Sequence, residues 1–177
     1  MSAAATSVRH VWTYRAVFLL LCAILILARL LPLGLGESGI PGPDLLLALT
    51  FAWLLRQPAV VPLAMIVGVF LLADLLFQRP PGLWTALAVV ATESLRRRRL
   101  QMTEFPFLVE WGAITGAVAF MVLAERVALL LLFVDPPSLG LSLAHGIVTI
   151  AIYPLVVAVS KFVFGLRKLG PADLEPL

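Results

Sequence analysis

The sequence predicts a polytopic all-α membrane protein, and three observations carry that reading. Of its 177 residues 62% are hydrophobic, and the mean hydropathy is +1.06. Charged residues make up only 13%, about half the roughly 25% of an ordinary soluble domain. The apolar residues run in stretches divided by proline, glycine and charge, and most of the basic residues gather where alternate stretches end. The net charge of +3 is therefore read as a topology signal rather than a nucleic-acid signal. The single cysteine, Cys22, excludes an intramolecular disulfide and a cysteine-based metal cage.

Residues 1–15 are small and polar with Arg9, His10 and Arg15, and are expected to form a cytoplasmic amino-terminal segment. The apolar run 16–35 is longer than the hydrophobic core of a signal peptide and lacks a small-x-small cleavage site after it, so it is expected to be an uncleaved first span. Arg29 interrupts its second half. A glycine and proline loop, 34–43, leads to Asp44, whose side chain can cap the next helix and meet its positive dipole end. That second segment, 44–56, is short. At 1.5 Å per residue its apolar part reaches about 17 Å, roughly half the hydrocarbon thickness.

Arg56-Gln57-Pro58 makes a turn, and 59–77 is a full-length third helix with Asp74 near its far end. Gln78 lies four residues beyond Asp74, on the same helical face, and Pro80-Pro81-Gly82 stops the helix. A short fourth helix, 83–95, closes on Arg96, Arg97, Arg98 and Arg99, and 101–106 links it to the fifth. The fifth segment, 107–134, contains Glu110, Glu125 and Arg126; Asp135-Pro136-Pro137-Ser138 then turns the chain. The sixth, 139–166, carries His145 and an expected kink at Pro154. The tail, 167–177, is too polar and short to fold alone.

With six spans, the inside ends collect every basic residue except Arg29, Arg79 and Arg126, which places both termini in the cytoplasm. A four-span arrangement with the two short segments re-entrant exchanges Arg56 for Arg79 and fits the rule equally well.

A carboxylate at membrane depth is costly, so Asp74 must face protein or water. In the six-span arrangement Arg29, Asp44, Asp74, Glu125, Arg126 and His145, with Gln78 beside them, share the outer halves of their helices. They are expected to form a polar core or an outward-opening cavity, with Asp74 paired to Arg29 or Arg126. The plainer alternative is a set of ion pairs that only fix helix register. Ser142, His145, Thr149 and Tyr153 fall on one face of the sixth helix, either as hydrogen-bonded core or as a wet, partner-facing surface. Gly112-x-x-x-Gly116, beside Ala113 and Ala117, permits close helix approach, within the bundle or, as the sharper alternative, in a homodimer. Arg96 to Arg99 read as a topology anchor at anionic headgroups or a docking site for a cytoplasmic partner, with Glu104 and Glu110 as their expected ion-pair partners. No metal site is expected, because only His10 joins His145 among histidines. No nucleophile has a base at a recognisable spacing, and there is no phosphate-cradling loop or dinucleotide fingerprint. Asp74 and Glu125 are the one carboxylate pair that could do acid and base work. No enzyme activity and no cofactor are expected.

Pro43-Asp44-Leu45-Leu46-Leu47 opening a short helix, Gly68-x5-Asp74, and Gly82 before an alanine-containing helix that ends in a basic cluster resemble the rod shape-determining protein MreD family. The resemblance extends over most of the chain, through its length, charged amino end, short second and fourth helices and inside termini. The sequence departs from the family pattern in the Pro80-Pro81 pair before the glycine. The resemblance implies a non-catalytic, multi-pass component of the bacterial inner-membrane elongation machinery. It would bind the bitopic protein MreC and, with it, link the actin-like MreB filament to the RodA glycosyltransferase and a class B penicillin-binding transpeptidase. The family's fold is similar to the six-helix substrate-capture subunits of energy-coupling-factor vitamin transporters, which favours the six-transmembrane-helix bundle over four spans. That similarity also supplies a rival, a vitamin-capture subunit. Against it, Ala16, Ala23 and Ala28 lack the Ala-x-x-x-Ala docking spacing, and aromatic residues to stack a flat ligand are few.

Overall fold

The computed structural model describes residues 2–31, 42–103 and 106–166, with side chains described over 11–31, 42–99 and 106–166. Among the described residues there are α-helices and no strands: α1 (Ser2–Leu30), α2 (Leu45–Arg56), α3 (Leu63–Leu76), α4 (Leu83–Thr103), α5 (Phe107–Leu131) and α6 (Leu139–Phe164). The shortest helix lies in the middle. α2 is apolar around its whole circumference, and such a helix has no side to turn to water, so it packs on every side. Leu46 to Arg56 are all buried, with α1, α4 and α6 against them. Trp53 of α2 is ringed by Tyr14, Phe18 and Phe164 at centroid distances of 6.2, 5.5 and 5.5 Å.

The other helices wrap this centre. α3 pairs with α4, α4 with α5 and α5 with α6. On α1 the buried Phe18, Cys22 and Ile26 recur every four residues, which puts one stripe inward and leaves Leu20, Ile24 and Leu27 exposed. In α1 the stretch Val11–Leu30, and the whole of α5 and α6, are long and apolar enough to cross a membrane. α2 and α3 are shorter apolar helices. Large exposed hydrophobics cover the outside of the bundle, with Leu131 74% and Phe162 84% accessible, a surface that suits lipid and not water.

The helix bounds differ from the sequence reading in instructive places. The apolar run from residue 16 is the later part of a helix that already starts at Ser2, while residues 32–41 of the first link and the tail 167–177 lie outside the described residues. α3 starts at Leu63 rather than 59 because Pro58 and Pro62 bracket a turn closed by Val60 N–H to the Gln57 carbonyl at 3.0 Å. α4 does not close at residue 95: it continues through the four arginines to Thr103. Nothing in that stretch breaks a helix, and Glu93 lies 3.6 Å from Arg96 and 3.4 Å from Arg97, one turn on. α5 stops at Leu131 because Phe133 turns left-handed at φ 56° and the Val134 N–H bonds the Leu129 carbonyl at 2.9 Å. α6 runs on through Pro154 and ends before Gly165, at φ 64°.

Candidate functional site

Both ends of α2 are polar, and α6 is the rail that seats them. At the first end the Asp44 carboxylate accepts from the Leu47 N–H at 3.0 Å, as the sequence predicts for an N-cap. The Asp44 N–H donates to Thr149 Oγ1 at 2.9 Å, and that hydroxyl donates to the His145 carbonyl at 2.7 Å. His145 Nδ1 donates to the Gly42 carbonyl at 2.8 Å; the carbonyl can only accept, so the proton sits on Nδ1. At the other end Arg56 Nη1 donates to Glu110 Oε1 at 3.1 Å and to the Ala52 carbonyl at 3.0 Å. Tyr153 donates to the same Glu110 oxygen. Of the sixth helix's polar stripe, Thr149 and Tyr153 are buried, so it is hydrogen-bonded core at these positions. Arg56 and Tyr153 are partners that the sequence reading did not give to Glu110, while Glu104 lies outside the described residues. The sequence reading missed this cluster, although an arginine closing a short apolar helix was a signal for it.

Asp74 is fully buried, and its geometry overturns the expected ion pair. Its Oδ2 accepts from Thr85 Oγ1 at 2.8 Å, Thr85 N–H at 3.0 Å and Gly82 N–H at 3.2 Å. The turn after α3 brings the first N–H groups of α4 back over the carboxylate, where unpaired donors and the helix dipole neutralise it without a cation. Among the described residues neither Arg29 nor Arg126 comes within salt-bridge distance of it. Arg126 instead donates to the Pro137 carbonyl at 2.9 Å, bracing the turn after α5. Gln78 does not share a helical face with Asp74. It takes a left-handed φ of 55°, and the Arg79 N–H bonds the Asp74 carbonyl at 3.0 Å, so α3 ends in a Schellman turn. Gly82, at φ 85°, supplies the second reversal that only glycine adopts freely.

The remaining predicted residues at this end meet around a cavity of about 380 Å³. Arg29, Gln78, Glu125 and His145 line it, together with Arg79, Trp84, Asp135 and Ser142; Asp44, Asp74 and Arg126 do not. Asp44 faces an adjoining space of about 190 Å³ that it shares with Arg29 and Phe77. Arg29 and Arg79 both lie against the Phe77 ring, 4.8 and 5.6 Å from its centroid. Arg79 is absent from the sequence-derived set, yet it is one of the arginines at the end where the positive-inside rule expects none. Glu125 lines this cavity, whereas Asp74 Oδ2 turns to the start of α4. Among the described residues no three His, Cys, Asp or Glu side chains gather as a metal site requires.

The basic run divides into separate roles. Arg96 donates to the Val61 and Pro58 carbonyls at 2.7 and 3.4 Å, and Arg15 to the Ala59 carbonyl at 2.9 Å, so two guanidiniums hold the turn between α2 and α3. Arg97 pairs with Glu93, Arg98 is exposed, and Arg99 is buried.

Gly112 and Gly116 do not serve packing inside the bundle. Both are exposed, and a Cβ placed on either meets nothing within 4 Å. They line a groove of about 570 Å³ between α4 and α5, with Ala91, Ser94, Ala113 and Ala117 in its walls and Arg98 among its lining residues. Among the described glycines, the one that allows close approach is Gly146 of α6, where a Cβ would stand 3.3 Å from Val122 of α5. No family model, curated protein or solved structure matches the chain.

Proposed function

We propose that this chain is a non-catalytic scaffold of six membrane-embedded helices that seats a spanning segment of a bitopic partner in the groove between α4 and α5. The single observation that carries the reading is that groove: a stripe of glycine, alanine and serine with nothing among the described residues packed on Gly112 or Gly116. Lipid offers helices no hydrophobic drive to associate, so association depends on close backbone approach and on polar contacts. Asp74 Oδ2 is engaged by the start of α4, and the side chain is buried away from the groove. The end with Arg15, Arg96, Arg97 and Arg98 lies in the cytoplasm in this reading, in accord with the positive-inside rule. The resemblance to the MreD family names MreC as the partner and, through it, MreB, RodA and the transpeptidase of wall elongation in the bacterial inner membrane.

Copurification with tagged MreC tests the proposal. Gly112→Leu with Gly116→Leu is expected to reduce recovered MreC about tenfold, since blocking close approach removes an interaction on the order of 1–2 kcal/mol. The unfolding temperature of the scaffold itself should hold, because the added side chains meet open space. Unchanged recovery sinks the groove as the seat, and no recovery with the unaltered chain sinks the partner. The capture-subunit reading draws on the cavity of about 380 Å³ at the opposite end. A vitamin copurifying with the detergent-extracted chain would put it first.

A further inference from the structure

We propose that the cavity at the Asp44 end binds a zwitterionic phosphate ester, its phosphate held by Arg29 and Arg79 and its amine by Glu125. The proposal stands apart from the scaffold reading, because none of these residues lines the α4–α5 groove.

Both arginines are tied to one place by the Phe77 ring, and Arg79 also lies 5.2 Å from the centroid of Trp84. Among the described residues neither guanidinium donates a hydrogen bond to a protein group or stands within 4.0 Å of a carboxylate. Two guanidiniums that line one cavity with their donors free suit a phosphate, whose several oxygens can take both; one fork already satisfies a carboxylate. Glu125 lines the same cavity and likewise has no hydrogen bond or ion pair among the described residues. It therefore offers a carboxylate to an ammonium at the other side of the bound group.

The neighbouring acids explain why the match is a zwitterion and not a bare anion. Asp44 and Asp74 direct their carboxylates at the first turns of α2 and α4, so they balance the arginines through space and leave the guanidinium donors free. A site of nearly balanced charge repels neither end of a zwitterion. Val122 and Leu129 supply apolar wall for the short linker between phosphate and amine. The indole N–H of Trp84, in the same wall, is buried without an acceptor among the described residues. Phosphoethanolamine is the simplest group with this chemistry, and it has two sources: a phospholipid headgroup or a free metabolite.

Native mass spectrometry of the whole chain in a phosphate-free detergent tests the site. Phosphatidylethanolamine is expected to remain bound about tenfold more than phosphatidylglycerol, and Arg79→Gln to lower its retention about tenfold, the scale of one charge-assisted hydrogen bond. Glu125→Gln should abolish the preference for the amine headgroup while phosphate-bearing lipid still binds. Arg79→Lys keeps the cation without the fork and should bind between the unaltered chain and Arg79→Gln, which separates loss of charge from loss of fold. Competition by free phosphoethanolamine assigns the site to a soluble metabolite; failure to compete assigns it to the lipid. If the unaltered chain holds the two lipids alike, or Arg79→Gln retains as much as the unaltered chain, the cavity is hydrated space and the proposal is wrong.

Discussion

The two ends of α2 are both polar and both buried, yet they are completed in opposite ways. At the Arg56 end, a guanidinium from α2, a carboxylate from α5 and a phenol from α6 meet one another, and aromatic rings close around Trp53 one turn away. At the Asp44 end, the buried carboxylates bind backbone, while Arg29, Arg79 and Glu125 face a cavity. Charges satisfied within the chain fix which helices meet and in what register. Charges left facing a cavity at membrane depth are costly and mark a place for water, a ligand or a partner. One end is closed by the chain's own side chains, and the other leaves charges facing a cavity.

The largest break in this comparison is expected from Glu110→Ala. Removing one member of a buried ion pair strands the other, at a cost of about 3–5 kcal/mol. Thermal unfolding in one detergent should show a steep loss. Adding Arg56→Met should recover most of it, because an apolar pair of similar volume avoids the desolvation cost. Unfolding of Glu110→Ala at the unaltered temperature would show that this end does not pin the bundle.

Asp74 comes next. Asp74→Ala removes the acceptor for three donors at the start of α4, a loss of about 1–3 kcal/mol, and Asp74→Asn should cost less because it keeps a carbonyl oxygen. Amide exchange in residues 83–86 should rise in that same order, with the rest of α4 little changed. Equal exchange in all three proteins would mean that Asp74 does not cap α4.

Much of this arrangement was legible in the sequence, and the losses have physical causes. The Asp44 cap and the helix order depend on residues adjacent in sequence, and they stand as read. The polar depth shared by Arg29, Glu125 and His145 followed from helix length and direction, and these residues do share a cavity. Asp74 was misread because composition ranks an arginine as the natural partner of a buried acid, whereas a helix N-terminus arriving from the next turn offers donors that composition does not count. Gln78 was misplaced because its left-handed turn breaks the helical periodicity on which the face was assigned. Gly112 and Gly116 illustrate a different limit: spacing shows that a helix can approach, and only tertiary structure shows that none does among the described residues.

The smallest expected effect makes the sharpest comparison. Arg79→Gln should change the unfolding temperature of the lipid-free chain very little, within about half a kcal/mol in either direction. No carboxylate is left unpaired by it, and the Asp44 and Asp74 contacts are to backbone and hydroxyl groups. The lost stacking over Phe77 and Trp84 is offset by relief of repulsion from Arg29. The same variant measured with added phosphatidylethanolamine should then fall behind the unaltered chain, because a ligand stabilises only the protein that binds it. A large loss without lipid would make Arg79 a structural residue on a par with Arg56, and the distinction between a closed end and an open end of α2 would fail.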